Sequence, residues 1–200
     1  MPIDVPDTES LPPQAPPESR SGAFVREMME TLLLAVVLFV AVRAVVQNTR
    51  VEGHSMEPTL HDGQHVMVNK LIYDVTEPRR GDIVVLRSPE GGPKPLIKRV
   101  IGLPGEEVRL VQGQVYVGGV RLDESYLPPS HGNETWGPYT LQPGEYLVLG
   151  DNRDNSNDSR RFGPIQRSAI IGKAWFSLWP LQYGLTIGHQ VAATSAETAR

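Results

Sequence analysis

One stretch limits what this chain can fold into more than any other: Thr31–Val46 (TLLLAVVLFVAVRAVV), apolar throughout apart from Thr31 and Arg43. As a helix its sixteen residues reach about 24 Å at ~1.5 Å each, somewhat short of a ~30 Å hydrocarbon core. Extension upstream through Met29 and Met28 nearly closes the gap. Glu30 and Arg43 then lie near opposite ends, where Arg43 can snorkel to the interface. A cleavable leader needs a basic start and a small-residue cleavage site near the N-terminus, whereas this run begins behind an acidic tail. A helix buried in a protein core is the competing reading, and the continuous Leu/Val/Ala/Phe surface without a polar stripe is weighed against it. The expectation is a single membrane span within residues 23–47. Arg20 and Arg26 on one side balance Arg43 and Arg50 on the other, so the basic residues do not fix its orientation.

The flanks behave differently. Residues 1–22 carry six prolines and four acids with almost nothing to bury, the signature of a disordered tail. Residues 189–200 read as a flexible tail. A net charge of −4 leaves no basic footprint for nucleic acid. With no cysteine, disulfides, thiolate metal sites and a cysteine nucleophile are excluded.

Between the flanks, 19 glycines and 18 prolines punctuate short alternating runs, which favours β structure over a helical bundle. Strands are expected over Gln64–Leu71, Asp82–Arg87, Leu96–Ile101, Glu107–Val111, Gln114–Val117, Val120–Leu122, Glu145–Leu149 and Ala169–Leu178. Gln112-Gly113 and Gly118-Gly119 are the turns of a meander, and residues 123–142 read as irregular. The expected fold is therefore mainly β: a domain of antiparallel sheets over residues 48–188, with a small inserted meander at about 106–144, behind one N-terminal transmembrane helix.

Chemistry concentrates at Gly53-His54-Ser55-Met56-Glu57-Pro58-Thr59-Leu60. A serine hydroxyl becomes a useful nucleophile only beside a base. Glu57 rules out the G-x-S-x-G elbow. Histidine is the usual base, but His54 adjoins Ser55 in sequence and points to the opposite face of an extended loop. His61 and His65 lack the helical spacing of a zinc site, and no metal site is expected. A lysine can serve instead if burial lowers its pKa from ~10.4 by about three units. Lys98, within Leu96-Ile97-Lys98-Arg99-Val100-Ile101, and Lys70, within VMVNKLIY, both have apolar neighbours, and the residues alone do not separate them. In the polar loop Gly150–Arg160 (GDNRDNSNDSR), Asp154, Ser156 and Asp158 alternate as in a calcium loop, but counted from Asp154 the sixth and twelfth positions are Ser159 and Ile165, so that reading fails. The loop is otherwise readable as a solvated turn of Asx caps.

Gly53–Leu60, Lys98–Gly105 (KRVIGLPG) and Gly150–Arg160, in that order behind one anchor, resemble the type I signal peptidases, membrane-bound Ser/Lys proteases. The resemblance covers roughly residues 28–180. It implies Ser55 as nucleophile and Lys98 as general base, leaving Lys70 an exposed or half-buried strand lysine. It implies that Ser156 hydrogen-bonds and orients the base, that Asp158 and Arg160 form a supporting ion pair, and that Gly150 and Asp151 shape the wall of the site. The oxyanion would be held by the Ser55 N–H. Gly53 occupies the place where some relatives add a hydroxyl, so a second donor there would have to come from backbone. Val51, Leu60 and Ile97, with Thr49 at the edge, would line the pocket nearest Ser55, into which an extended peptide with small residues before the cut would fit. Trp175, Phe176 and Trp179 are readable either as lipid-interface residues or as core.

The implied partners are the signal peptides of exported preproteins, the lipid bilayer and the secretion translocon, with no cofactor and with the catalytic domain on the outer side of the cell membrane. Two other readings stay distinct. A self-cleaving repressor of the LexA type shares the Ser/Lys chemistry but needs a helix-turn-helix domain before the serine and no membrane span. A catalytically inactive membrane-tethered β module would bind peptides without cutting them.

Overall fold

The structure, a computed structural model, describes residues 20–179 and 192–193. The expected tail up to residue 19, and the expected C-terminal tail apart from residues 192–193, lie outside them. The described residues fall into two compact units, divided between Val42 and Arg43.

In the first unit, helix α1 begins; it runs Arg20–Val45. Its apolar side chains are open all round: Leu32, Leu33, Leu34, Leu38 and Phe39 are each more than half exposed. Among the described residues no helix is long and apolar enough to cross a membrane, the side chains at 41, 42 and 44 lying outside those described. The helix stops at Val45 rather than at residue 47, because Val46 already pairs with Asn69 as the first residue of a strand.

The second unit is built from β1 (Val46–Arg50), β2 (His65–Asn69), α2 (Ile72–Val75), β3 (Ile83–Leu86), β4 (Leu96–Gly102), β5 (Glu107–Val111), β6 (Gln114–Val117), β7 (Val120–Asp123), β8 (Trp136–Thr140), β9 (Glu145–Leu149), α3 (Ser159–Phe162), β10 (Ile165–Gln166), β11 (Ile170–Trp179) and β12 (Ala192–Ala193). They form a seven-stranded sheet, β1-β2-β11-β3-β4-β9-β10, and a five-stranded sheet, β12-β7-β6-β5-β8. The pairings are antiparallel, so the architecture is mainly β, as expected.

The meander β5-β6-β7 has the expected turns. Gln112 and Gly113 (φ 48° and 78°), and Gly118 and Gly119 (φ 58° and 83°), all take left-handed conformations, the geometry whose twist suits a two-residue hairpin. Four strands go beyond what the sequence pattern predicts: β1, β8, the two-residue β10 against β9, and β12, which pairs with β7 inside the stretch expected to be a flexible tail. β1 sits where the apolar run ends, and β8 crosses the stretch expected to be irregular. β8 (WGPYT) carries Pro138, which is compatible with a strand only at an edge or bulge. β8 is an edge strand, and its register against β5 shifts between Val108 and Leu110.

β4 determines where the site lies. It runs between β3 and β9, with Val84 opposite Lys98 and Leu149 opposite Arg99. Every residue from Ile97 to Gly102 is buried, Ile97 in the cluster with Val51, Met56, Leu60 and Val66, Val100 in that with Val84 and Val148, and Ile101 in that with Val108 and Leu147. A lysine and an arginine are thereby carried into the interior.

Candidate active site

Three segments converge: the β1–β2 loop bearing Ser55, the strand β4, and the loop from Gly150 to α3. The first is pinned at both ends. Val51 N–H donates to Gln64 O (2.7 Å), Gly63 N–H to Val51 O (3.0 Å) and Leu60 N–H to Met56 O (2.9 Å). Met56 and Leu60 are buried while Ser55 is only half-buried, so the loop is anchored by its apolar residues and presents the hydroxyl.

Lys98 Nζ donates to Ser55 Oγ at 2.7 Å. Burial pushes the Lys98 ammonium down from 10.5 to about 8; the carboxylates of Asp158 and Asp151 oppose that fall, and the Arg160 charge adds to it. Of the two candidate lysines, the structure brings Lys98 to Ser55. Lys70 is half-buried just beyond β2, with its backbone N–H on Val45 O. His54 turns its Nδ1 to Glu57 Oε1 (2.8 Å), a bond that raises its proton affinity. Among the described residues no cluster of His, Asp and Glu is arranged to hold a metal ion.

The third segment is a charged lattice. Arg160 grips Asp158 through Nε to Oδ1 and Nη2 to Oδ2, both 2.8 Å, so the expected pair forms. Burial alone would raise the Asp158 carboxyl, but the Arg160 bonds and charge, with the Gly150 N–H at 3.0 Å, hold it below its ordinary value. Gly150 has no room for a side chain: a Cβ would stand 2.2 Å from Ser156 Oγ and 2.5 Å from Ser55 O. The Asn152 N–H donates to that same Ser55 oxygen (3.0 Å), so the two loops are locked backbone to backbone.

Several expected roles are revised. Ser156 is buried, and its Oγ makes no hydrogen bond among the described residues, to Lys98 or otherwise. Asp151 is more than a wall. It takes both Nε (2.8 Å) and Nη2 (2.6 Å) of Arg99, both partners fully buried. Arg99 is a residue that the sequence pattern alone did not single out, although an arginine flanked by buried apolar strand residues signals a buried carboxylate partner. The Gly53 N–H already donates to Asp62 Oδ1 (2.7 Å), so it is engaged and not free for an oxyanion. The Ser55 N–H has no acceptor among the described residues.

A cleft of about 230 Å³ opens beside Ser55 and Lys98, with Thr49, Val51, Met56 and Ile97 in its walls. Leu60 is absent from it. At 1 % exposure it packs in the core with Val66 and Val68, the position that pins the loop. Trp175 is exposed and Phe176 half-buried on β11; the Trp179 side chain lies outside the described residues.

Comparison with known proteins gives one consistent picture. The family described as "Signal peptidase, peptidase S26" matches residues 25–179. The chain is 41 % identical over 164 residues to a probable signal peptidase I-2 of Synechocystis sp., covering 78 % of this chain and 73 % of that one. It is 38 % identical over 191 residues to a signal peptidase I of Leptolyngbya laminosa (88 % and 93 %), and 36 % identical over 165 residues to one of Bacillus licheniformis (77 % and 88 %). A solved structure of a signal peptidase I from Enterococcus faecalis V583 is 34 % identical and covers 50 % of this chain and 97 % of its own, with a TM-score of 0.43.

Proposed function

Because the chain belongs to the signal peptidases of family S26 and is a serine endopeptidase, we propose that it removes N-terminal signal peptides from exported preproteins with Ser55 as nucleophile and Lys98 as general base. The observation that carries this reading is the 2.7 Å contact between Lys98 Nζ and Ser55 Oγ at a lysine whose burial favours its neutral form. Once neutral, the amine offers a lone pair to the Ser55 proton. Ser55 Oγ attacks the scissile carbonyl carbon as that proton passes to Nζ. The tetrahedral intermediate collapses as Nζ returns the proton to the leaving amine, giving an ester on Ser55. A water deprotonated by the same amine then attacks the ester and frees the enzyme. The Ser55 N–H is the donor for the oxyanion. Gly150, Asp151, Ser156, Asp158 and Arg160 keep the two reacting side chains in place.

Thr49, Val51 and Ile97 form the pocket for small residues before the cut, and the extended substrate lies along the cleft. Residues 23–45 anchor the enzyme in the cell membrane, and the β-rich domain that starts with β1 at Val46 is the catalytic domain on the outer side. What supports the anchor is the ring of exposed Leu, Val and Phe side chains on α1, which hydrocarbon satisfies and water does not. Anchoring holds the site beside export signals that are themselves embedded in the bilayer, close to the translocon that delivers them, and raises their effective concentration.

The test is cleavage of a preprotein by the detergent-solubilised chain. Wild type releases the mature protein and Ser55→Ala does not; equal cleavage by both refutes the assignment. Retention of the full chain in membranes at alkaline pH, with a truncation of residues 1–45 released, tests the anchor.

A further inference from the structure

The segment joining β7 to β8 belongs to the small sheet, yet three of its side chains reach toward the charged loop beside Ser55. Glu124 binds Arg153 through Nη1 at 3.2 Å and, more closely, through Nη2, with both side chains almost fully buried. Tyr126 lies under Arg99, the guanidinium carbon 4.0 Å from its ring centroid, and its hydroxyl donates to Glu124 Oε1 (2.6 Å) while accepting from Arg153 Nη2 (3.2 Å). Glu134 takes Arg160 Nη1 at 2.8 Å. Each arginine has its other hand on the site loop. Arg99 holds Asp151, Arg153 Nε holds the Gly150 carbonyl (3.1 Å), and Arg160 holds Asp158.

From Gly150 and Asn152 the connection to the nucleophile is direct, through the absence of space at Gly150 and the Asn152 N–H on Ser55 O. We propose that Glu124, Tyr126 and Glu134 are positioning residues for the Ser55–Lys98 pair, acting through Arg153, Arg99 and Arg160. The proposal rests on the Ser55–Lys98 reading. Its physical basis is that reaction rates respond steeply to sub-ångström displacement of reacting groups, while a guanidinium gripped on one side only keeps its charge but not its orientation.

The test compares kcat and KM for preprotein cleavage by the full chain in detergent, at 20 °C below each variant's own melting temperature. Tyr126→Leu removes the ring under Arg99 and lowers kcat about tenfold with KM within twofold. Tyr126→Phe keeps the ring and stays within about threefold of wild type. Glu124→Gln leaves Arg153 without its counter-charge and lowers kcat at least as far as Tyr126→Leu. Should either of the two severe variants fail to fold, Glu134→Gln, at the half-exposed end of the network, decides the question with a drop in kcat of about threefold. Lower melting temperatures with unchanged kcat overturn the proposal, as does a rise in KM alone. Ser55→Ala runs alongside. If it keeps activity, the reading of the dyad has failed, whatever the other variants do; if it is inactive, their kcat values judge the network alone.

Discussion

Lys98 Nζ and Ser55 Oγ stand 2.7 Å apart across 43 positions of sequence, one on a strand buried from Ile97 to Gly102 and the other on a loop pinned by Met56 and Leu60. That contact places a partly neutralised amine against an alcohol without any intervening histidine, and it sets what substitutions at the pair and in the lattice around it should do.

Lys98→Met abolishes cleavage and stabilises the fold. Burial lowers the Lys98 pKa from 10.5 to about 8, so below pH 8 the folded state bears the full cost of an enclosed ammonium. The unfolded state binds more protons between pH 8 and 10.5, the cost is relieved across that window, and it is gone above it. At ~1.4 kcal/mol per factor of ten this is on the order of 3 kcal/mol at pH 7. Denaturant unfolding at pH 7 and pH 11 checks it: the variant is the more stable at pH 7 and loses that advantage at pH 11.

Asp151→Leu leaves the Arg99 cation buried without a carboxylate, and removing one partner of such a pair costs about 3–5 kcal/mol. An Arg99→Met, Asp151→Leu double variant recovers most of that stability, since the pair as a whole is close to balanced against apolar packing. A double-mutant cycle by urea unfolding measures the coupling; additive single losses would contradict the buried pairing.

Gly150→Ala places a methyl group against Ser55 O and Ser156 Oγ. The backbone has to shift, at about 1–3 kcal/mol in stability, and kcat falls by about 10² through displacement of Ser55. Wild-type kcat in a folded Gly150→Ala enzyme would show that the two loops are not locked together.

Ile97→Ala enlarges the cleft next to Ser55. Preproteins with valine or leucine in place of alanine immediately before the cut are then processed, at rates raised on the order of tenfold, the scale of one or two methylene groups in an apolar pocket. Mass spectrometry of the released N-termini reads the result. Leu60→Ala, by contrast, lowers stability by about 2–5 kcal/mol and leaves this preference unchanged, because Leu60 is core.

Much of this is legible in the chain itself, and the rest is lost for identifiable reasons. Short alternating runs and Gly-containing turns specify the meander, since two-residue hairpins leave little freedom in register. β8 is hidden because its Gly137-Pro138 pair reads as loop chemistry, and only its place at the sheet edge makes it a strand. Lys98 and Lys70 have equivalent local neighbours; what separates them is that β4 has strands on both sides while Lys70 stands beyond the end of β2. Asp151 and Arg99 are 52 positions apart, so their pairing is a property of the β4–β9 register rather than of either motif. Leu60 and Val51 are both apolar residues near the serine, and which one faces the cleft depends on how the loop closes on Gln64. Ser156 lies where the motif implies, but the direction of its hydroxyl is a rotamer, which sequence does not encode.

The most direct measurement of the central claim is kcat/KM for preprotein cleavage by the detergent-solubilised chain from pH 5 to pH 10. With Lys98 acting in its neutral form, kcat/KM falls about tenfold for each pH unit below about 8 and levels off above it. A profile that stays flat from pH 8 to pH 5 would contradict a lysine base at Ser55.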